Sequence, residues 1–449
     1  MKSSNCEVVD LDNGMRVLVA HRPGQVVYCG IAVAAGTRDQ LDTESGMAHL
    51  VEHMSFKGTE RRSSWHILNR MERVGGDLNA FTAKEHTVYY CSCLRSHFRR
   101  AIDLLLDITL HSTFPQPHLE REVEVVCDEI ESYNDSPSEL IFDDYEALLF
   151  QDHPLGRNIL GDAERLRQYH SEDLLAFTHR LYDPSRMVLF VLGDVRMTDV
   201  IGGKGQEVIR GKGQGARGKE QEVRGKSNVS DSLNNPQEEN VSSSHFSPLT
   251  SHFSPLTSHF SPLTSHLPTV QCKDKHTHQA HVIMGCHAYP LGDARCIPLR
   301  LLSNILGGPG MNSRLNVSLR ERRGLVYTVE TVLAHYTDAG VWTTYFGCAP
   351  SDVERCRRLV VREIQRLLDA PLTPSQLQSA KRQFKGQLAL SWENGENVAI
   401  GLGTRLLHNQ PPKTLEQMQA DIDSLTATQL WDTAQEVLQP ERLTTLIYK

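Results

Sequence analysis

The chain has 449 residues, a formal net charge of −8 at pH 7, 39% hydrophobic residues and 23% charged residues. This length exceeds one ordinary domain and suits two, each large enough to bury a core. The acidic balance argues against a nucleic-acid-binding protein. Because no run of about 18 apolar residues occurs, the sequence predicts that nothing spans a membrane.

The first 200 residues alternate strand-like and helical patterns. Residues 26–35 and 87–93 read as strands, and residues 46–54 and 98–110 read as helices. Residues 269–449 alternate in the same way. The sequence therefore predicts an α+β protein.

The N-terminal segment lacks the apolar region of a secretory signal. The ten cysteines show no paired spacing, and Cys91 and Cys93, on one face of a predicted strand, are interpreted as small buried apolar side chains. A reducing, cytoplasmic location is the simplest expectation.

Residues 201–268 differ sharply from both flanks. The short motif Gly-Lys-Gly-Gln recurs at its start. The sequence Ser-His-Phe-Ser-Pro-Leu-Thr then occurs three times in tandem, from Ser244, Ser251 and Ser258. A proline every seventh residue excludes a continuous helix, and the apolar content is too low for a core. We interpret this segment as a disordered, low-complexity insertion.

The segments on either side of residues 201–268 share a weak internal repeat. Leu174 and Pro184 match Leu430 and Pro440 at one constant offset of 256 residues, each within a helix, a proline turn and a strand. The sequence thus predicts two homologous domains, 1–200 and 269–449. Each is expected to be a mostly antiparallel sheet with helices packed on it.

The pattern H-x-x-E-H lies in the predicted helix 46–54. His49 and His53 are four residues apart, so both imidazoles lie on one helix face, at a spacing that suits one tetrahedral zinc ion. Glu52 lies on nearly the same face, where it would reach a water molecule without ligating the metal. The alternative is an amphipathic helix with two solvated histidines.

A third ligand is expected from a second predicted helix, 118–133. Its apolar stripe has helical spacing, and its other positions are crowded with acids. These acids are Glu120, Glu122, Glu124, Asp128, Glu129 and Glu131. Glu122 and Glu129 share a face two turns apart, but the residues alone do not select one ligand, and a solvated acidic face is the default for most of them.

The segment His49-Leu-Val-Glu-His-Met-Ser-Phe-Lys-Gly-Thr59, followed by the acidic helix, resembles the pitrilysin/insulysin family of zinc peptidases, and most closely its bacterial branch similar to mitochondrial processing peptidase. Gly-Gly-Asp-Leu-Asn-Ala-Phe-Thr at 75–82 and His-Pro-Leu-Gly at 153–156 add to the resemblance. The resemblance implies Glu129 as the third ligand and Glu122 as its supporting acid. Residues 1–200 would then be the zinc-binding catalytic domain.

This resemblance implies a zinc-dependent endopeptidase. No second H-x-x-E-H pattern occurs after residue 270, so one Zn²⁺ is expected per chain. Glu52 would act as general base toward a zinc-activated water and then protonate the leaving amine. The alternative is a non-catalytic partner subunit of a related peptidase. Hydrolysis of a small molecule is a weaker alternative.

Two further elements are implied to bind a peptide or an unfolded polypeptide. Asn79, Ala80, Phe81 and Thr82 resemble an edge strand that pairs with an extended peptide; an internal strand is the alternative. Arg320 and Tyr327 resemble a pair brought to the scissile carbonyl by a domain without zinc; otherwise they are only a basic helix end and a strand.

In the family that the chain resembles, large members enclose peptides between four domains, and the resemblance implies that this chain would supply two of them. A homodimer, or pairing with a related subunit, would therefore complete a substrate chamber.

Overall fold

The structure is a computed structural model that describes residues 6–202 and 269–449. In the first range the strands are β1 (Cys6–Asp10), β2 (Arg16–His21), β3 (Val26–Val33), β4 (Asp77–Thr82), β5 (Thr87–Leu94) and β6 (Met187–Gly193). The α-helices of this range are α1 (Met47–Met54), α2 (Ser64–Glu72), α3 (Phe98–Leu110), α4 (Gln116–Asn134), α5 (Pro137–Phe150), α6 (Ala163–Leu166), α7 (Ser171–Leu181) and α8 (Met197–Ile201). The five elements predicted by residue range, which are 26–35, 46–54, 87–93, 98–110 and 118–133, are confirmed, with ends that differ by no more than two residues.

The second range continues the numbering. Its strands are β7 (Val270–Lys273), β8 (Ala280–Ala288), β9 (Val326–His335), β10 (Gly340–Cys348) and β11 (Thr444–Tyr448). Its α-helices are α9 (Cys296–Gly307), α10 (Val353–Leu368), α11 (Pro374–Trp392), α12 (Gly395–Leu407), α13 (Leu415–Ser424) and α14 (Ala427–Val437). The segment interpreted as a disordered insertion, 201–268, lies outside the described residues except for its first two positions.

The two sheets repeat one order of five strands. The first sheet runs β1-β2-β6-β3-β5-β4, and the second runs β7-β11-β8-β10-β9. In both, only the pair β2 and β6, or β7 and β11, is parallel; the remaining pairs are antiparallel. This confirms the α+β class and the two homologous domains, with β1 as an added strand. It also leaves β4 and β9 as equivalent edge strands.

The predicted helix, proline turn and strand occur in both halves. In the first half α7 leads through Pro184–Arg186 to β6, and in the second α14 leads through Pro440–Arg442 to β11. The two turns are again 256 residues apart, which confirms the repeat read from the sequence.

Each half gives one helix to the outer face of the other sheet. Successive strand residues face opposite sides, and the inner face of the first sheet packs on its own helices α1, α3, α4 and α7. Its outer face packs on α12 from the second half, through Leu402 and Leu406 against Leu18 and Phe190. The outer face of the second sheet packs in the same way on α5 from the first half.

This exchange explains why the described residues form one compact unit. Gly403 allows the close approach of α12, because a Cβ atom there would lie 2.3 Å from the Phe190 ring. Within the described parts of the chain, neither sheet is covered on both faces without the other half. The free energy of folding is therefore shared between the halves.

Within residues 6–202 and 269–449, no helix is both long enough and apolar enough to cross a bilayer. The prediction for Cys91 and Cys93 is confirmed, since both are buried in the first sheet and neither is in a disulfide.

We expect Leu402→Ala to lower the free energy of unfolding by about 2–4 kcal/mol, because it opens a cavity between α12 and the first sheet. Leu402 belongs to the second half but covers the first, so backbone amides of both sheets should lose hydrogen-exchange protection together, in one transition. The control is Leu390→Ala on α11. The Leu390 side chain is exposed, so this substitution should change the free energy of unfolding by less than about 0.5 kcal/mol. Separate unfolding of the two sheets would contradict the expectation.

Candidate metal centre

Glycine contacts fix where α1 begins. Gly46 caps the helix with a φ of 76°, and Gly161 has a φ of 83°. A Cβ atom on Gly161 would lie 2.4 Å from the Cα of Gly46, so the two backbones approach as closely as only glycines allow. The side-chain oxygen of buried Gln40 also accepts a hydrogen bond from the backbone N–H of Ala48. These contacts fix the position of the start of α1, and His49 directly follows Ala48.

The two histidines of α1 converge. The Nε2 atoms of His49 and His53 are 3.2 Å apart, and the rings meet edge to face. His49 is buried, whereas His53 is half-buried. The alternative of two solvated histidines is therefore wrong.

Helix α4 brings a carboxylate to the same point. Oε2 of Glu129 lies 3.6 Å from Nε2 of His53 and 3.9 Å from Nε2 of His49. Ligands about 2.0–2.1 Å from a tetrahedral zinc ion are roughly 3.3 Å apart. The donor set and its spacing fit one such ion, and the Glu129 side chain is 44% exposed, so the site is open to solvent on that side.

Glu122 lies behind His53. Its Oε1 is 3.1 Å from Nδ1 of His53, and its Oε2 is 2.6 Å from Nζ of Lys57. Since a carboxylate only accepts hydrogen bonds, Nδ1 of His53 carries the proton and its Nε2 presents a lone pair. The sequence did not predict that Lys57 would pair with Glu122. The only available signal was the position of Lys57 four residues after His53.

Burial and charge act differently on the two imidazoles. Burial, together with the neighbouring His53, lowers the pKa of His49 to about 3. Burial also acts to lower the pKa of His53, but the hydrogen bond to Glu122 and the nearby carboxylates outweigh it and raise this pKa. His49 is thus neutral at ordinary pH, and protons compete with a metal ion mainly at His53.

Glu52 faces the same space from α1. Burial raises the pKa of its carboxyl group, against the opposing effect of a hydrogen bond from Thr82. The Thr82 hydroxyl donates to Oε2 over 2.6 Å. A buried carboxylate with a raised pKa beside a metal site is suited to accept and return a proton.

The segment of Asn79, Ala80, Phe81 and Thr82 lies in β4, which among the residues that the structure describes pairs with β5 alone. The alternative of an internal strand is therefore wrong. On the free edge, the backbone N–H of Ala80 donates to the side-chain oxygen of Asn79 over 2.9 Å.

Arg320 and Tyr327 lie together in the second half. The guanidinium carbon of Arg320 is 5.5 Å from the centre of the Tyr327 ring, and Tyr327 is 78% exposed. Arg320 belongs to the π-helical segment Asn316–Glu321, and Tyr327 is the second residue of β9.

The pair lies far from the point where β9 approaches the metal-binding half. Thr337, just beyond the end of β9, donates its backbone N–H to Glu85, and Arg38 bonds to both Glu85 and Asp338. Tyr327 is eight residues before the end of β9, or roughly 26 Å along the strand at about 3.3 Å per residue. The structure brings Arg320 and Tyr327 to each other, but not to the histidines through any hydrogen bond or ion pair in the described residues.

The second half does not repeat the metal cluster. Helix α9 occupies the place of α1 but reads Cys296-Ile-Pro-Leu-Arg-Leu-Leu-Ser-Asn-Ile-Leu-Gly307. Among residues 6–202 and 269–449, His49, His53 and Glu129 are the one group arranged to hold a metal ion.

Comparison with protein-family models gives two matches. Residues 16–163 match the model for insulinase, peptidase family M16, and residues 234–384 match the model for the peptidase M16 inactive domain. The first match contains the whole metal cluster and β4.

Similar proteins carry consistent names. The chain is 29% identical to the uncharacterized zinc protease YmxG of Bacillus subtilis, covering 93% of this chain and 91% of that protein. It is also 29% identical to the uncharacterized zinc protease ML0855 of Mycobacterium leprae, over 95% of this chain and 88% of the relative.

Among solved structures, a protease from Helicobacter pylori matches with a TM-score of 0.83 and 20% identity, and covers 100% of both chains. A peptidase M16 inactive domain from Pseudomonas fluorescens matches with a TM-score of 0.81 and 19% identity, over 99% of this chain and 97% of that one. At these identities the likeness supports the fold alone.

We expect Glu122→Gln to weaken zinc binding by about 10–100-fold, because the negative charge that orients His53 and balances Lys57 is lost. The measurement is zinc competition with a chromophoric chelator at pH 7. Glu131→Gln is the matched control, since Glu131 lies on the same helix but is exposed. Unchanged affinity in Glu122→Gln, or an equal loss in the control, would contradict the role of Glu122.

Proposed function

The chain belongs to the insulinase family of peptidases, M16, and we propose that it is a zinc-dependent endopeptidase that hydrolyses peptides or unfolded segments. The observation that carries the proposal is the convergence of one ligand atom each from His49, His53 and Glu129 within 4.8 Å of one another. Three protein ligands leave a fourth tetrahedral position open, as in catalytic rather than structural zinc sites.

We assign the three ligand positions to His49, His53 and Glu129, with one zinc ion per chain. Bound zinc supplies a Lewis acid that makes water nucleophilic near neutral pH and polarises a carbonyl group. Glu122 holds the tautomer of His53 through Nδ1.

Glu52 is the general base in this proposal. Its Oε2 accepts the hydrogen bond from Thr82, so Oε1 is left to take a proton from the attacking water. The same carboxyl group then gives that proton to the amine released from the peptide. Burial of Glu52 supports the role, because a raised pKa makes the carboxylate a better proton acceptor near neutral pH.

The substrate is proposed to add as an extended strand beside β4. A free edge offers backbone N–H and C=O groups that bind a peptide without demanding one sequence. Contact between Thr82 and Glu52 ties this edge to the proposed general base. The amide of Asn79, which now holds the N–H of Ala80, would give way to a peptide carbonyl group.

A homodimer is proposed to complete the active site. Arg320 and Tyr327 lie at the end of β9 farthest from the contact with the metal-binding half. This pair would therefore approach the scissile carbonyl of a peptide held by a second copy of the chain. A related subunit with the same pair would serve equally.

We retain the domain assignment as part of the proposal: a zinc-binding catalytic domain at 1–200, an insertion at 201–268 and a substrate-binding domain at 269–449. The alternative of a non-catalytic partner subunit finds no support, since His49, His53 and Glu129 converge and Glu52 interacts electrostatically with His53 and Glu129.

Two substitutions separate metal binding from proton transfer. Glu52→Gln should keep stoichiometric zinc and lose about 10²–10⁴-fold in cleavage of a quenched peptide. Glu129→Gln should lose the zinc itself. Zinc content is measured by atomic emission, and Glu120→Gln, an exposed acid of α4, should leave both readouts unchanged. Full zinc in Glu129→Gln would move the ligand to another acid.

Mixing two inactive variants tests whether one active site is built from two copies of the chain. In a homodimer, Glu52→Gln chains would supply an intact Arg320 and Tyr327 to the metal site of Arg320→Ala chains. After refolding together, the mixture should recover about a quarter of wild-type activity, because half of the dimers are mixed and each has one complete site. Sedimentation velocity verifies the dimer, and no recovery in mixed dimers would assign the pair to its own chain.

A further inference from the structure

Thr82 bonds to the proposed general base from the end of the edge strand. Its hydroxyl donates to Oε2 of Glu52 over 2.6 Å, and an ionised carboxylate can only accept. The neighbouring Thr87 hydroxyl donates to the carbonyl of Ala35 over 2.8 Å and lies 3.4 Å from the Thr82 oxygen. The proton of Thr87 is therefore already used, and Glu52 remains the acceptor for Thr82.

The backbone of Thr82 faces the free edge of β4. The N–H of Ala83 donates to the carbonyl of His86 over 2.8 Å, so residue 83 bonds toward β5. Because such bonds alternate along an antiparallel strand, the N–H and C=O groups of residues 82 and 80 point away from β5. The bond between the Ala80 N–H and the Asn79 side chain agrees with this direction.

We propose that Thr82 is a positioning residue that couples peptide pairing along β4 to the orientation of the Glu52 carboxylate. Its backbone meets the peptide and its side chain meets Glu52, so a peptide that fixes the backbone of Thr82 also fixes Oε2. Cleavage is then fastest when the peptide pairs with the strand through residue 82. This inference rests on the proposed peptidase function.

In the second half of the chain, the edge strand is also hydrogen-bonded to a helix through a threonine side chain, but no carboxylate takes part. Thr331, on the equivalent edge strand β9, donates to the carbonyl of Ser303 on α9 over 2.7 Å, and the Ser303 hydroxyl donates back over 2.9 Å. If Thr82 only fastened β4 to α1, its loss should resemble the loss of Thr331. The duplicated fold thus provides a matched control for a purely structural role.

The first experiment compares Thr82→Val, Thr82→Ser and Thr331→Val on one quenched peptide, with zinc content measured for each. Thr82→Val keeps the shape but removes the hydroxyl, and kcat should fall at least about tenfold, the loss expected for one hydrogen bond to an ionised group. KM and zinc content should change less than about twofold. Thr82→Ser should restore kcat, and Thr331→Val should leave it unchanged.

The second experiment tests the coupling. Each backbone amide of the peptide is replaced in turn by an ester, which removes one N–H donor. The ester that removes the bond to Thr82 should lower kcat of the wild type and leave kcat of Thr82→Val unchanged, a non-additive cycle.

The outcomes separate the two proposals. The positioning role is overturned, while the peptidase function stands, by any of three results. These are an unchanged kcat in Thr82→Val, equal losses of kcat in Thr82→Val and Thr331→Val, or purely additive effects of the ester and the Thr82→Val substitution. Absence of any cleavage by the zinc-loaded wild type would overturn the peptidase function, and this inference with it.

Discussion

The close approach of two imidazoles and a carboxylate is the constraint on which the rest of the metal-binding half depends. Taking His49 and His53 out of water is unfavourable for their charged forms, and their Nε2 atoms lie within hydrogen-bond distance of each other, 3.2 Å apart. The fold holds them there with contacts that surround the site: Gly46 against Gly161 at the start of α1, and Glu122 between His53 and Lys57. The arrangement is preorganised for a cation, because the start of α1 and the ring of His53 are held by contacts outside the cluster.

The same sheet serves both the metal site and the proposed substrate edge. Its inner face supports α1 and α4, its edge strand β4 ends beside Glu52, and its outer face is covered by α12 from the second half. Contacts between the halves therefore help to hold the metal-binding sheet in place. This gives the second half a part in the site although, among its described residues, it contributes no metal ligand.

The sequence predicted much of this because periodic patterns report local structure. The helical spacing of His49 and His53, the predicted strand around Thr82 and the 256-residue offset all rest on short-range periodicity or on repetition. Glu129 could not be selected from its helix by spacing alone, since several acids share the α4 surface, and the family resemblance made that choice. The contact of Thr82 with Glu52, thirty residues apart, and the exchange of α5 and α12 were not predicted. Apolar residues on the outer face of a strand look the same whether a near or a distant helix covers them.

The helix exchange has a consequence during synthesis of the chain. The first sheet is complete once β6 emerges from the ribosome, but α12, which covers its outer face, follows about two hundred residues later. At roughly 5–20 residues per second this delay is about 10–40 s. Throughout that interval α12 is not yet available to cover Leu18 and Phe190. The nascent chain is most prone to aggregate in this window, and slow translation of the second half would prolong it.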